Sequence, residues 1–217
     1  MAPAPAAAGA WIAPEGGQEI WTSVAGARNQ TSFLESSGYW EAPLGSATSV
    51  VAAPWFEQNE ETLDGWRGEA VVGVKRTVFR DDDTVVAVQA GALWISHPSP
   101  ECSEGGAEVR LLAGRSYENG AFLNVEVAAR ALSGGCASER LDVTGGVRLS
   151  ENWLALGQVF IDAPHEGEET VRAQLSLVRF GESGRGIQLG VRGRIDGEAE
   201  EAALVLGFWG PVRDRDD

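Results

Sequence analysis

Lysine, methionine, histidine and cysteine are all scarce in this chain of 217 residues. It has one lysine, Lys75, one methionine, two histidines and two cysteines. The formal net charge of −15 argues against a nucleic-acid partner, because a surface that follows phosphates needs clustered basic side chains. No apolar run approaches the length of about 18 residues that a membrane-spanning helix needs. The sequence therefore excludes a helical membrane protein.

Patterns that carry catalysis are equally scarce. Ser96 and His97 are adjacent, so on a strand they would point to opposite faces and could not form a nucleophile–base pair. The second histidine, His165, lies in a polar, acidic loop. The glycine-containing stretch 181–186 fits neither the dinucleotide-binding nor the P-loop pattern, and neither cysteine has a metal-ligand partner at suitable spacing. We predict no catalytic residues, no metal and no cofactor, and hence not an enzyme.

Alternation of apolar and polar residues dominates the chain, whereas helical periodicity is almost absent. In AFLNVEVAARAL at 121–132, for example, Asn124, Glu126 and Arg130 share one face and apolar side chains fill the other. This period of two predicts strands with one wet face. About twelve strands are expected, near 19–30, 31–43, 47–58, 66–80, 84–96, 107–117, 121–132, 138–150, 152–163, 170–180, 185–196 and 201–210. Pro54 predicts a bulge or irregularity in the third strand.

The connections between these strands differ in length. Those after even-numbered strands are short, those after odd-numbered strands from the third on are longer and acidic, and the first hairpin has no long loop. Short turns at one end, long loops at the other and strands of about ten residues are typical of bacterial outer-membrane barrels. We predict an all-β fold, an antiparallel up-and-down transmembrane β-barrel of about 12 strands. Its termini would be periplasmic and its acidic loops extracellular.

A soluble antiparallel barrel or sandwich is the main alternative, because it also alternates apolar and polar faces. Here the apolar face is rich in valine, alanine and small residues, and the polar face carries arginine and acidic side chains at mid-strand. Tryptophans also cluster near strand ends, as in membrane-interface belts, with only Trp55 placed mid-strand. The belt candidates are Trp11, Trp21, Trp40, Trp66, Trp94, Trp153 and Trp209. Both features favour the membrane barrel.

The first ten residues, MAPAPAAAGA, are small and cannot pack a core. They match the end of a secretory signal peptide, and a disordered tail is the alternative. We predict a signal-peptide remnant or tail at 1–10, a barrel domain at 11–212 and a charged tail at 213–217. The mature protein would begin near Ala10 or Trp11.

The stretch GAWIAPEGGQEIW resembles the mature start of a group of proteobacterial outer-membrane proteins. That start has the form Gly-Ala-Trp-x-x-Pro-x-Gly, matched here by Gly9, Ala10, Trp11, Pro14 and Gly16. The group includes porin-like proteins of phenol-degradation pathways and biofilm-linked envelope proteins. The resemblance implies a β-barrel fold and a location in the bacterial outer membrane, but no particular transported substrate.

Two cysteines lie in polar, glycine-containing stretches at the same predicted end of the barrel. In a reducing cytosol Cys102 and Cys136 would be unrelated thiols, whereas export favours a disulfide between them. We predict the disulfide.

Charged residues of both signs occupy the wet face of the predicted strands. Those expected to line the lumen are Glu69, Lys75, Glu108, Arg110, Glu126, Arg130, Arg140, Asp142, Arg148, Arg172, Arg192 and Arg194, with Asp162 beside them. They would either pair and fill a narrow lumen or line an aqueous pore for small polar or charged solutes. Twelve strands lie between filled eight-stranded barrels and open sixteen-stranded porins, so size does not decide.

These observations predict a small channel or porin-like protein. A structural or surface-interaction barrel of the envelope or biofilm matrix, and a soluble periplasmic barrel that binds an apolar ligand, remain as alternatives. The expected partners are outer-membrane lipid and lipopolysaccharide, with no nucleic acid and no indicated oligomeric state.

The acidic loops either are simply solvated or bind divalent cations that bridge carboxylates to each other or to lipopolysaccharide. The carboxylates concerned are Glu57, Glu60, Glu61, Asp64, Glu166, Glu168, Glu169, Glu198, Glu200 and Glu201.

Overall fold

Twelve antiparallel strands form a closed barrel in which each strand pairs with its sequence neighbours and the last pairs with the first. The structure is a computed structural model that describes residues 9–59, 65–96, 102–164, 167–196 and 200–212. The strands are β1 (Gln18–Arg28), β2 (Thr31–Pro43), β3 (Thr48–Asn59), β4 (Trp66–Arg80), β5 (Thr84–Ile95), β6 (Gly105–Ser116), β7 (Ala121–Leu132), β8 (Cys136–Ser150), β9 (Trp153–Ala163), β10 (Thr170–Phe180), β11 (Gly186–Arg194) and β12 (Glu201–Gly210). The predicted fold class and strand number are confirmed.

Alternation along each strand places the apolar residues outside. In β12, Glu201, Ala203 and Val205 are buried and face the lumen, whereas Leu204 is 70% exposed and Leu206 56% exposed. A soluble barrel would have the opposite arrangement, with its apolar face inside. The exterior is that of a barrel surrounded by lipid. Within the described ranges, no helix is long and apolar enough to cross a membrane.

The two ends of the barrel differ. Strands β2, β4, β6, β8 and β10 finish at short connections, which defines the short-turn end, where β1 also begins and β12 finishes. The opposite end, where β3, β5, β7, β9 and β11 finish, is the long-loop end. The hairpin between β1 and β2 is short although it lies at the long-loop end: its two residues, Asn29 and Gln30, have φ values of 48° and 71°. Positive φ at both central residues is typical of the type I′ turn that joins twisted strands.

The strand boundaries lie within about two residues of those expected from the alternation. The irregularity predicted at Pro54 is an interruption of the β2–β3 ladder without a change of register. Register shifts instead occur between Thr77 and Phe79 in β4 and between Arg148 and Ser150 in β8, near the short-turn end.

Exposed tryptophans mark both ends of the apolar exterior. Trp21 and Trp153 lie near the short-turn end, and Trp66 and Trp94 near the long-loop end. The prediction that Trp209 belongs to a belt is wrong: it is 7% exposed and points into the lumen. Its neighbour Phe208 takes the outward position, because alternate residues of a strand face opposite sides.

A disulfide joins Cys102 to Cys136 at the long-loop end, with their Cα atoms 5.8 Å apart. The predicted bond is confirmed, although Cys136 is the first residue of β8 rather than a loop residue. Beside it, the backbone N–H of Ser103 donates to the carbonyl of Ser133 at 3.0 Å. The connection between β5 and β6 is therefore tied to the start of β8.

Candidate functional site in the barrel lumen

The lumen contains a cavity of about 780 Å³ that extends from the long-loop end toward the short-turn end. Cys102 and Pro164 line it near the long-loop end, and Ile20, Leu156 and Trp209 line it near the short-turn end. Ten of the twelve residues predicted to line the lumen are on its wall: Glu69, Glu108, Arg110, Glu126, Arg130, Arg140, Asp142, Arg172, Arg192 and Arg194. The remaining two, Lys75 and Arg148, lie elsewhere.

One cluster of ion pairs spans β4 to β8. Glu126 and Asp142 stand directly opposite each other on β7 and β8, where two like charges would repel. Arg110 relieves this repulsion, because its Nη1 donates to Glu126 at 2.7 Å and to Asp142 at 3.0 Å. Arg130 in turn donates to Glu108 at 2.7 Å and to Glu69 at 2.6 Å. Each of these two arginines is shared between carboxylates on different strands.

A second cluster crosses the seam where the last strands meet the first. Arg192 donates to both carboxylate oxygens of Glu35, each at 2.8 Å, and its Nε donates to Glu201 at 2.9 Å. Such fork-like pairing is strong and fixes the orientation of the guanidinium. Arg28 extends the cluster by donating to Glu201 and Glu57. The charges here hold the strands on either side of the seam together.

Two members of the second cluster correct the predicted acidic outer loops. Glu57 is in β3 and Glu201 is the first residue of β12; both are buried and paired with arginines inside the barrel. The alternation carries them inward, so they cannot belong to an exposed acidic rim.

Eight other carboxylates belong to the predicted acidic rim. Five of them lie outside the described residues: Glu60, Glu61, Asp64, Glu166 and Glu198. In the described part of the chain, no group of three acidic, histidine or cysteine side chains is placed to hold a metal. Divalent cation binding by the remaining loop carboxylates stays a prediction.

The mouth of the cavity carries one further pair. Arg194 donates to both oxygens of Asp196, at 2.9 and 3.1 Å, and the backbone N–H of Val171 donates to the same carboxylate at 2.8 Å. The hydrogen bond from Arg194 lowers the pKa of Asp196 below its ordinary value. Asp196 therefore stays ionised at the entrance over the whole physiological pH range.

Positive and negative charges nearly balance across the described cavity wall. Eight arginines and nine carboxylates line it. Each of these arginines has a carboxylate partner in an ion pair. These pairs account for seven of the nine carboxylates, and among the described residues the buried Nε atoms of Arg67 and Arg172 have no hydrogen-bond partner. The wall is strongly polar, and most of its charges are paired.

On the short-turn side of these ion pairs, uncharged polar side chains form a hydrogen-bonded row along β8 to β11, which we call the amide row. It consists of Thr144, Gln158, Gln174, Ser176 and Gln188. Gln174 donates to Gln158 at 2.9 Å and Gln188 donates to Ser176 at 3.0 Å. At the end of the row, the indole N–H of Trp209 donates to Gln188 at 2.8 Å. The sequence does not indicate this row, because isolated glutamines on a wet face carry no distinctive pattern.

An apolar layer lies beneath the amide row, nearest the short-turn end. Leu154, Leu156, Val178, Phe180 and Trp209 are buried together inside the barrel, with the Phe180 and Trp209 rings edge to face. Side chains packed in this way exclude water from that part of the lumen. On this side the cavity therefore ends in an apolar floor.

The opposite side of the lumen is filled by the chain's own N-terminal segment, residues 9–17, which we call the N-terminal plug. Ala10 is fully buried against Val85, Ala87 and Leu112, with Trp11 packed beside them. Trp11 is thus inside the barrel, and the prediction that it belongs to a tryptophan belt is wrong. Gly9 and Ala10 also lie inside the barrel. Residues 1–8 and 213–217 lie outside the described residues.

Three contacts fix the position of the plug. A Cβ on Gly114 would lie 2.5 Å from the indole ring of Trp11, so only glycine leaves room for that ring. The same indole meets Phe122 edge to face, with ring centroids 6.3 Å apart. On the backbone, the N–H of Ala10 donates to Asn124 Oδ1 at 3.0 Å.

Lys75, the only lysine, anchors the plug. Its ammonium group is fully buried and donates to the carbonyls of Gly9 at 2.9 Å and Trp11 at 2.8 Å, and to Glu41 at 2.7 Å. Glu41 in turn accepts a hydrogen bond from the backbone N–H of Ala13 at 3.1 Å. Lys75 does face the lumen, as its position in the alternation predicts, but it contacts the plug and not the open cavity.

Arg148, the other predicted lumen residue outside the cavity, lies at the short-turn end. Its guanidinium donates to the carbonyl of Glu151 and stacks over the Phe180 ring.

The side chain of Ser96 is buried and accepts a hydrogen bond from the backbone N–H of Gly68 at 2.6 Å. His97 and His165 lie outside the described residues.

Comparison with known proteins places the fold among bacterial outer-membrane barrels. The NanC porin aligns over 87% of this chain and 98% of its own, with a TM-score of 0.64 and 9% identity. An outer-membrane channel from Pseudomonas putida F1 aligns over 94% and 98%, with a TM-score of 0.63 and 8% identity. The KdgM porin aligns over 88% and 98%, with a TM-score of 0.61 and 4% identity. A second KdgM structure holds a disordered oligogalacturonate. No family model and no curated protein matches the sequence.

Proposed function

We propose that the protein is an outer-membrane channel for small polar solutes. Its exterior carries an apolar surface bounded by exposed tryptophans, which suits insertion into a bilayer. Its interior holds a polar cavity that extends from the long-loop end, which faces the cell exterior in barrels of this type. Two porins and a channel are among the proteins of similar fold.

The observation that carries this proposal is the cavity itself. A barrel that served only as an anchor would gain most from an apolar, fully packed interior, because buried ion pairs often stabilise less than apolar side chains of similar volume. This wall instead holds charged side chains around about 780 Å³ of space. The arrangement supports a role for a hydrated interior.

The apolar floor and the N-terminal plug close the other end of this cavity. Passage through the barrel therefore requires the plug to leave its site, since it packs against β2, β4, β5, β6 and β7 by the contacts described above. We propose that the structure represents the closed state of the channel.

Planar-bilayer recording of the purified, folded barrel tests the channel. Folding is verified first by the shift in gel mobility that boiling causes in native outer-membrane barrels. Discrete current steps are expected, with long closed intervals that reflect the seated plug. A correctly folded preparation that remains electrically silent, even in variants with a displaced plug, would contradict the proposal.

A structural barrel of the envelope is the second candidate, favoured by the ion-pair clusters, which link strands that are not neighbours in the sheet. In that case the charges serve stability alone, and the variants that displace the plug would leave the membrane impermeable. Either way, we propose that the protein is not an enzyme and that outer-membrane lipid and lipopolysaccharide surround it.

A further inference from the structure

The chemistry of the cavity wall limits which solutes it can hold. Arg192 is bound to both oxygens of Glu35, and Arg130 is shared between Glu108 and Glu69. A solute carboxylate would have to share either guanidinium with a buried carboxylate that already neutralises its charge. Displacing that partner would leave a buried carboxylate without its counter-charge, which is unfavourable.

Solute cations meet a similar competition. At the seven paired carboxylates of the wall, a solute ammonium group would have to compete with an arginine, for example with Arg110 for Glu126 or with Arg28 for Glu201. Because the arginines form several hydrogen bonds each, a single ammonium group is a poor substitute. The nearly balanced wall thus offers little net attraction to either sign of charge.

The amide row provides a different kind of contact. Each carboxamide has two N–H donors and an oxygen with two acceptor sites, so the bonds within the row use only part of its capacity. Thr144, Gln158, Gln174 and Gln188 all line the cavity. Donors and acceptors that alternate at short spacing, with no formal charge, match the hydroxyl groups of a sugar.

Aromatic rings lie on the cavity wall both beside the amide row and across the lumen from it. Phe160 and Trp209 line the cavity on the side of the amide row, and Tyr39 and Trp55 line it from β2 and β3. Every aromatic ring has a large apolar face, and tyrosine and tryptophan also carry a polar group at the edge of the ring. Such faces can pack against the C–H surface of a sugar ring while polar side chains bind its hydroxyls.

We propose that the cavity binds uncharged polyhydroxylated solutes, oligosaccharides above all, and that Gln158, Gln174 and Gln188 determine this specificity. The proposal rests on the proposed function for access from the cell exterior. It separates this protein from KdgM, one structure of which holds an oligogalacturonate, an acidic sugar chain. A cavity volume of about 780 Å³ lies within the range of sites that enclose small molecules.

Direct binding to the folded barrel in detergent tests this specificity without requiring conduction. Isothermal titration is carried out with maltotriose as the neutral probe, trigalacturonate as the acidic probe and spermidine as the cationic probe. Maltotriose is expected to bind most tightly of the three. Tighter binding of trigalacturonate or spermidine, or no binding of maltotriose, would overturn the proposal.

Variants locate the site on the amide row. Gln174→Leu and, separately, Gln158→Leu should each weaken maltotriose binding by about tenfold, because each removes hydrogen bonds while keeping the side-chain volume. The matched control is Gln58→Leu on β3, whose side chain is exposed. Unchanged affinity in both amide-row variants, with folding verified by gel mobility, would refute the assignment. Binding without ionic current would contradict the channel and leave this specificity intact. Ionic current without binding would support the channel and contradict this specificity.

Discussion

Replacing Lys75 with methionine should open the barrel. The change keeps most of the side-chain volume and removes the ammonium group that donates to Gly9, Trp11 and Glu41. A hydrogen bond to a charged group contributes about 1.5–3 kcal/mol, so loss of the two bonds to plug carbonyls should weaken plug seating by about 3 kcal/mol. That corresponds to a shift of about 150-fold in the ratio of open to closed states.

The assay is single-channel recording in planar bilayers, with open probability measured at a fixed voltage. Arg76→Met is the matched control, because Arg76 is the next residue on the same strand and its side chain is exposed on the outer face. The control should behave like the wild-type protein, while Lys75→Met should spend far more time open.

A second variant reaches the plug from the opposite wall. Gly114→Leu places side-chain atoms where the Trp11 indole lies, since even a Cβ there would be 2.5 Å from the ring. It should raise the open probability while leaving the buried pair of Lys75 and Glu41 in place. If both variants fold and both retain wild-type open probability, the reasoning that the N-terminal plug closes the barrel is refuted.

Three further predictions concern the disulfide, a turn and the lumen. Replacing Cys102 and Cys136 together by serine should lower the free energy of unfolding by about 3–4 kcal/mol, the chain-entropy value for a cross-link over 34 residues. Denaturant titration in detergent measures this loss. Thiol labelling of the unreduced wild-type protein should find no reactive thiol. Backbone N–H groups of its own turn lower the pKa of Asp81 below the ordinary value of 3.8. The stability that ionised Asp81 contributes is therefore complete above pH 3.8 and is lost as the pH falls through the lower pKa of the folded state. An NMR titration that gave Asp81 an ordinary pKa would contradict this prediction. Arg192→Gln should lower thermal stability and alter ion selectivity, whereas Arg148→Gln at the short-turn end should change neither. If the two variants had equal effects on selectivity in bilayers and on melting temperature, the positions described for these two arginines would be contradicted.

The strands and the orientation of their faces follow from the sequence because the period of two is a local property. Asn124, Glu126 and Arg130 alternate with apolar residues, and each indeed faces inward. The same rule places Glu57 and Glu201 in the lumen, since both fall within expected strands. Their assignment to outer loops is wrong because a run of acidic residues conceals the point at which a strand begins or ends.

The inner architecture could not be predicted because it depends on contacts between distant parts of the chain. The N–H of Ala10 and the side chain of Asn124 are separated by 114 residues, and nothing local to either residue indicates their partnership. The alternation correctly places Lys75 on the wet face, but its isolation as the only lysine gives no sign that it binds backbone carbonyls. The prediction for Trp209 fails because a tryptophan near a strand end belongs to a lipid belt only if it also falls on the outward face.

The location of the plug also imposes an order on assembly. Its binding site is made from Glu41 on β2, Lys75 on β4 and Asn124 on β7, so the site does not exist until more than half of the barrel has formed. Contacts between residues so far apart in sequence form slowly, since the intervening chain must first lose its freedom. The segment that precedes the first strand is therefore among the last to reach its native position. A barrel newly inserted in the membrane would be permeable before it becomes sealed.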